Sequence, residues 1–105
     1  MTNTPSQILI QRIAQSISKS LIVNQKKNDY IASLIGLDTS VLEQVCNLSE
    51  GRITNLDIKY IICFMIDMDV KDISLLFNIE PASVHTVRYR IKKKFGDNQQ
   101  LKLLI

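Results

Sequence analysis

Arg88, Arg90, Lys92, Lys93 and Lys94 crowd into one short stretch, and Ala82, Ser83, His85, Thr86 and Tyr89 precede or interleave with them. Guanidinium and ammonium groups at this density suit a polyanion, because each can neutralise a phosphate and release its counterion. Methyl, hydroxyl and imidazole groups suit the exposed edges of stacked bases. A helix would sort the two kinds of chemistry. At 100° per residue, Ala82, Thr86, Tyr89 and Lys93 share one side, with His85 and Arg90 on its flanks. Val84, Val87, Ile91 and Phe95 recur every three or four residues on the other side and predict a buried stripe.

Other chemistry finds little support. His85 is the single histidine, so no histidine-based metal set is expected. Cys46 and Cys63 lack metal-ligand spacing and read as small buried hydrophobes in a reduced compartment. Asp67 and Asp69 stand two apart in a turn, where they suit helix caps better than an acid/base pair. There is no glycine-rich phosphate loop, and neither an enzyme nor a cofactor is expected.

The elements that must position the basic helix come just before it. Ile73, Leu76 and Phe77 make the inner face of a short helix from Val70 to Phe77. Asn78-Ile79-Glu80 breaks the rhythm, and Pro81 suits the first position of the next helix, where its missing N–H costs nothing. A short helix, a tight corner and a longer helix carrying basic residues outward is the helix-turn-helix plan. Charge segregates along it. Residues 54 to 79 hold Lys59 and Lys71 against Asp57, Asp67, Asp69 and Asp72, a net −2, whereas residues 80 to 95 carry net +4 with Glu80 as the single acid. The bland alternative is a solvated helix end, since lysines there also complement the helix dipole.

These residues resemble a known family. From Ile53 to Gly96 the chain is similar to the C-terminal DNA-binding domain of LuxR/GerE-type bacterial transcriptional regulators, without a gap. The matching positions are Ile53-Thr54, Asp57, Lys71-Asp72-Ile73, Phe77, Ile79, Pro81, Ser83-Val84, Ile91 and Lys93-Lys94-Phe95-Gly96, over about two fifths of the chain. Asp67 stands where the family usually has Gly, at a position expected to need left-handed backbone, which Asp tolerates. Glu80 replaces the usual Ser and makes a poorer N-cap. Leu56 replaces a common Arg, and Val87 a common polar residue.

The resemblance and the motif imply sequence-specific binding of double-stranded DNA, with helix 81–95 in the major groove. Side chains near the N-terminal end of its outer face would reach bases, which selects Ala82, His85, Thr86 and Tyr89. Ala82 and the Thr86 methyl suit a thymine methyl, and His85 a guanine acceptor. Phosphates would fall to Lys71, Ser83, Arg88, Arg90, Lys92, Lys93 and Lys94. Arg88 borders the buried stripe, so pairing with an aspartate such as Asp72 is its alternative. With Lys71, Arg90, Lys92, Lys93 and Lys94 engaged, log K would fall with log salt at a slope of roughly −4 to −5. Two rival readings stay open: a helical protein–protein module that kept the fold without DNA binding, and a fragment contacting RNA polymerase, like the last domain of a sigma factor.

The remaining chain reads as helical. With 105 residues, 46% of them hydrophobic, and only three Gly and two Pro, an all-α fold is expected. It divides into a helical N-terminal arm or dimerisation region, 1–50, and the helix-turn-helix domain, 53–105, closed by a short last helix. Thr4-Pro5-Ser6-Gln7 is a helix start, after which Ile10, Ile13, Ala14, Ile17 and Leu21 form a stripe. This helix either ends near Val23 or continues to Ile35; the break is preferred because Asn28-Asp29 is a natural cap. Gly36 suits a C-cap, Ser40 to Glu43 a capping box, and Asn47 to Arg52 a loop. Thr54 and Asp69 are expected caps for the helices that follow them, and Asp97 or Asn98 for a last helix from Gln99 to Ile105. The Ile10–Leu21 stripe or the Leu101–Ile105 tail is the expected seam of a homodimer. The N-terminus shows no signal-peptide pattern and no apolar run approaches the ~20 residues of a membrane span, so a cytoplasmic protein is expected.

Overall fold

The computed structural model describes residues 4–21, 25–48 and 52–105, the side chains of residues 46, 48 and 100 aside. These residues are all-α: α1 (Pro5–Ser20), α2 (Lys27–Ile35), α3 (Thr39–Leu48), α4 (Asn55–Met65), α5 (Val70–Phe77), α6 (Pro81–Lys94) and α7 (Gln99–Lys102).

Local chemistry sets most of the ends. Thr4 and Thr54 each close a capping box, with Gln7 and Asp57 returning the bond to the cap's own N–H. Asn98 caps α7 by accepting from the Leu101 N–H at 3.1 Å, although that helix stops at Lys102, short of Ile105. α4 and α5 both end on a left-handed residue, Asp67 at φ 58° and Asn78 at φ 54°. In each case the next residue's N–H reaches back five positions, Met68 to the Cys63 carbonyl and Ile79 to the Ser74 carbonyl, both at 3.0 Å. This closure satisfies carbonyls that the helix end would otherwise leave open.

Other expected ends differ. Helix α3 starts at Thr39, and Asp38, not Ser40, supplies the cap: its carboxylate accepts from the Ser40 N–H at 3.0 Å and the Ser40 hydroxyl at 2.7 Å. That helix also runs through Asn47 and Leu48, so the expected loop is shorter, and residues 49–51 lie outside the described residues. Gly36 does end α2, but at φ −81° rather than in left-handed backbone. Asp69 precedes α5 without a side-chain capping bond, because its carboxylate is engaged by Lys26 at 2.8 Å. The first stripe is interrupted, as preferred, but not by the expected cap. α1 stops at Ser20 and α2 starts at Lys27, after Lys26, which makes no side-chain capping bond. Asn28 and Asp29 therefore lie inside the helix, and Val23 and Asn24 lie outside the described residues.

Packing then joins the two halves. α1 packs on α2, α3 and α5, while α4 and α5 both pack against α6. A single apolar cluster runs from Ile10 through Leu34, Val45, Ile61 and Ile73 to Ile91 and Leu101. The N-terminal helices are therefore folded onto the rest of the chain and do not extend as an arm. Ile13, Ile17 and Leu21 are buried inside this cluster, so the stripe expected to form a dimer seam is consumed within one chain. Polar contacts reinforce the joint. Tyr30 on α2 donates its hydroxyl to the buried Asp72 at 2.8 Å and accepts from the Asp69 N–H at 3.3 Å. Burial, with the Asp72 carboxylate nearby, pushes the Tyr30 hydroxyl up to about 12.

Candidate functional site

Helix α6 is held from behind by its apolar stripe. Val84, Ile91 and Phe95 are buried and Val87 is half-buried against the core. The partners of α6 in this unit, Ile61, Ile73, Phe77 and Ile79, are all buried or packed against the same cluster. The register follows from the spacing, since any other rotation of α6 would put lysines into the core.

The three-residue corner sets how α6 leaves α5. Asn78 supplies the left-handed turn, a conformation Asn adopts more readily than most residues. Glu80 occupies the cap position of α6 with no side-chain bond to the helix, and Pro81 follows at the first position. Tyr60 of α4 stacks on Phe77 at the end of α5, ring centroids 3.9 Å apart, and fixes the corner from below.

Two basic side chains of α6 are used to hold the helix down. Lys94 donates to the Asp57 carboxylate at 2.6 Å, tying the last turn of α6 to the first turn of α4. Burial alone would raise the Asp57 carboxyl, but the Lys94 ammonium and the Thr54 hydrogen bonds outweigh it and hold the group below the usual range. The Arg88 guanidinium lies over the Phe64 ring, 4.5 Å from its centroid. Its Nε is buried with no hydrogen-bond partner among the described residues. Asp72, the acid expected as an alternative partner of Arg88, instead accepts a hydrogen bond from the Tyr30 hydroxyl.

The outer face of α6 carries the rest. Ala82, His85, Thr86 and Tyr89 are exposed together, and Tyr89 is 61% exposed. Lys93 lies over the Tyr89 ring at 4.8 Å, so cation and ring share the C-terminal end of this face. Arg90 is exposed on one flank, Lys92 half-buried on the other, and Ser83 half-buried near the start. Lys71 stands apart on α5, bordering a groove lined by Lys26, Asp69, Asp72 and Leu75. Among the described residues the ion pairs are Lys26–Asp69 and Lys94–Asp57, which leaves Lys71, Arg90, Lys92 and Lys93 without a carboxylate partner.

The Lys26, Tyr30, Asp69 and Asp72 group that orients α5 was not anticipated as a unit. Its bonded pairs lie 39, 42 and 43 positions apart, and no spacing rule joins residues at such distances. Chemistry beyond binding is sparse here. Burial pushes the Cys63 thiol up to about 12, so it stays protonated and is a poor nucleophile. The Cys46 side chain lies outside the described residues. No group of three His, Cys, Asp or Glu among the described residues is placed to hold a metal ion, and no helix among them is long and apolar enough to cross a membrane. No family model, curated protein or solved structure matches the chain.

Proposed function

We propose that this chain is a sequence-specific double-stranded DNA-binding protein that regulates transcription, presenting α6 to the major groove as a recognition helix. One observation carries the reading. Ala82, His85, Thr86 and Tyr89 form a single exposed face beside Arg90, Lys92 and Lys93, whose charges no carboxylate among the described residues neutralises. An α-helix fits the major groove, and residues near its N-terminal end approach base edges while flanking cations meet phosphates. Likeness of residues 53–96 to LuxR/GerE-type domains supports the same reading. Fluorescence anisotropy of labelled random duplex, titrated at rising salt, tests it: binding that weakens steeply with salt is expected. Absent or salt-indifferent binding would reject it.

That negative result would favour the helical protein-interaction module, for which Leu56 and Leu75, 54% and 58% exposed, are the supporting observation. For a homodimer, the Ile10–Leu21 stripe is buried within the chain, and the tail keeps one strongly exposed apolar side chain, Leu103 at 86%. A second copy would therefore meet the chain around Leu103, and sedimentation at high protein concentration would detect it.

A further inference from the structure

We infer that the outer face of α6 reads the C5 methyl groups of pyrimidines, so that the protein distinguishes thymine from uracil at the same pairing edge. This rests on the DNA-binding reading above and adds what that face selects. Base discrimination by hydrogen bonding in the major groove relies on two-pronged contacts, Arg or Lys to guanine and Asn or Gln to adenine. None of those four types stands at Ala82, His85, Thr86 or Tyr89. Of the long cations nearby, Arg88 lies over Phe64, Lys94 on Asp57, and Lys93 over the Tyr89 ring at the far end of the face, while Arg90 and Lys92 stand on its flanks, where phosphates would meet them.

What the face does offer is carbon. Ala82 carries only its Cβ, Thr86 carries a methyl group and one hydroxyl, and Tyr89 carries a ring beneath Lys93. Ala82 and Thr86 lie one helical turn apart on the exposed side, so their methyl groups form a continuous apolar strip along the helix. The group in the major groove that matches such a strip is the pyrimidine C5 methyl, which loses water on contact and needs no donor or acceptor. Thymine carries it; 5-methylcytosine carries it in the same place; uracil and cytosine do not.

The test begins with selection of a preferred site from a randomised duplex library by the full chain. The selected duplex is then made with deoxyuridine in place of thymine, and with C·G pairs at the same positions bearing or lacking the 5-methyl group. Each contacted methyl removed should weaken binding about fourfold. Adding the cytosine methyl should recover a similar factor. Thr86→Val, which keeps the methyl and drops the hydroxyl, should keep the thymine-over-uracil ratio, and Thr86→Ser should reduce it. Thr86 is exposed, so circular dichroism is expected to be unchanged for the two variants. Equal binding of thymine and uracil duplexes, with salt-sensitive binding to random duplex intact, overturns methyl reading alone. No salt-sensitive binding to any duplex overturns the DNA-binding reading with it.

Discussion

Replacing Lys93 and Lys94 one at a time by Ala separates adjacent residues that composition treats alike. Lys94 is held by Asp57 at 2.6 Å, whereas Lys93 has no carboxylate partner among the described residues. Counting Lys71, Arg90, Lys92 and Lys93 as the available cations, the slope of log K against log salt should be about −3.6, shallower than a count including Lys94 would give. Affinity for random duplex should then fall about 150-fold between 50 and 200 mM salt. Lys93→Ala removes one phosphate contact, which lowers the slope to about −2.7 and the loss to about 40-fold. Lys94→Ala should leave the slope near that of the parent chain. Its effect falls on stability instead, because Asp57 loses a partner at a site where its side chain is only 14% exposed. A loss of about 1–2 kcal/mol in urea unfolding is expected, between the values for exposed and buried pairs. Anisotropy titrations and urea melts of the three proteins decide it. If Lys94→Ala flattens the salt slope as much as Lys93→Ala does, Lys94 leaves Asp57 for the DNA and the assignment of roles on α6 is wrong.

Ile73→Ala and Ile91→Ala each remove a side chain that is 1% exposed, and should cost ~2–5 kcal/mol by urea denaturation; a loss under ~1 kcal/mol would contradict their place in the core. Tyr30→Phe removes a hydroxyl that bonds the buried Asp72 and the Asp69 N–H, with an expected cost of about 1.5–3 kcal/mol, and an unchanged melt would mean the α2–α5 joint does not depend on it. Because the Asp57 carboxyl is held below its ordinary value of 3.8, its contribution should be fully present above about pH 4 and lost as pH falls through the depressed value. The stability gap between the parent chain and Asp57→Asn should accordingly close in acid; a gap that persists there would argue against charge as its source. His85→Ala should weaken binding to a selected site by about 1–3 kcal/mol and leave random duplex nearly untouched, and equal losses on both would show that His85 reads no base.

Much of the secondary structure was legible because its causes are local. Thr4 with Gln7, Thr54 with Asp57, and Pro81 act within one helical turn, so adjacent residues suffice to identify the starts they produce. The stripes of α1 and α6 follow from 3.6-residue periodicity, and Ile13, Ile17, Val84 and Ile91 are buried where that periodicity puts them. The left-handed turn at Asp67 was expected only through the resemblance, whose usual Gly marks the position, and Asp tolerates the conformation. Asp69 shows where such reasoning stops. Its position suited a cap, but Lys26, brought near by the packing of α2, competes for the carboxylate and wins.

By itself the sequence determined which segments coil, which face of each helix is apolar, and that the basic charge gathers on α6. Those properties arise between residues no more than a few positions apart. Tertiary structure alone decided what the faces meet and which charges remain free. The α1 stripe could have served a second copy equally well as an apolar surface, and only its packing on α2, α3 and α5 removes it from the exterior. The same holds for Lys94 and Arg88, chemically suited to phosphate yet spent on Asp57 and Phe64. Composition counts every cation alike, whereas a partner 37 positions away, placed within hydrogen-bond reach by the crossing of α4 and α6, settles whether Lys94 faces solvent or its own fold.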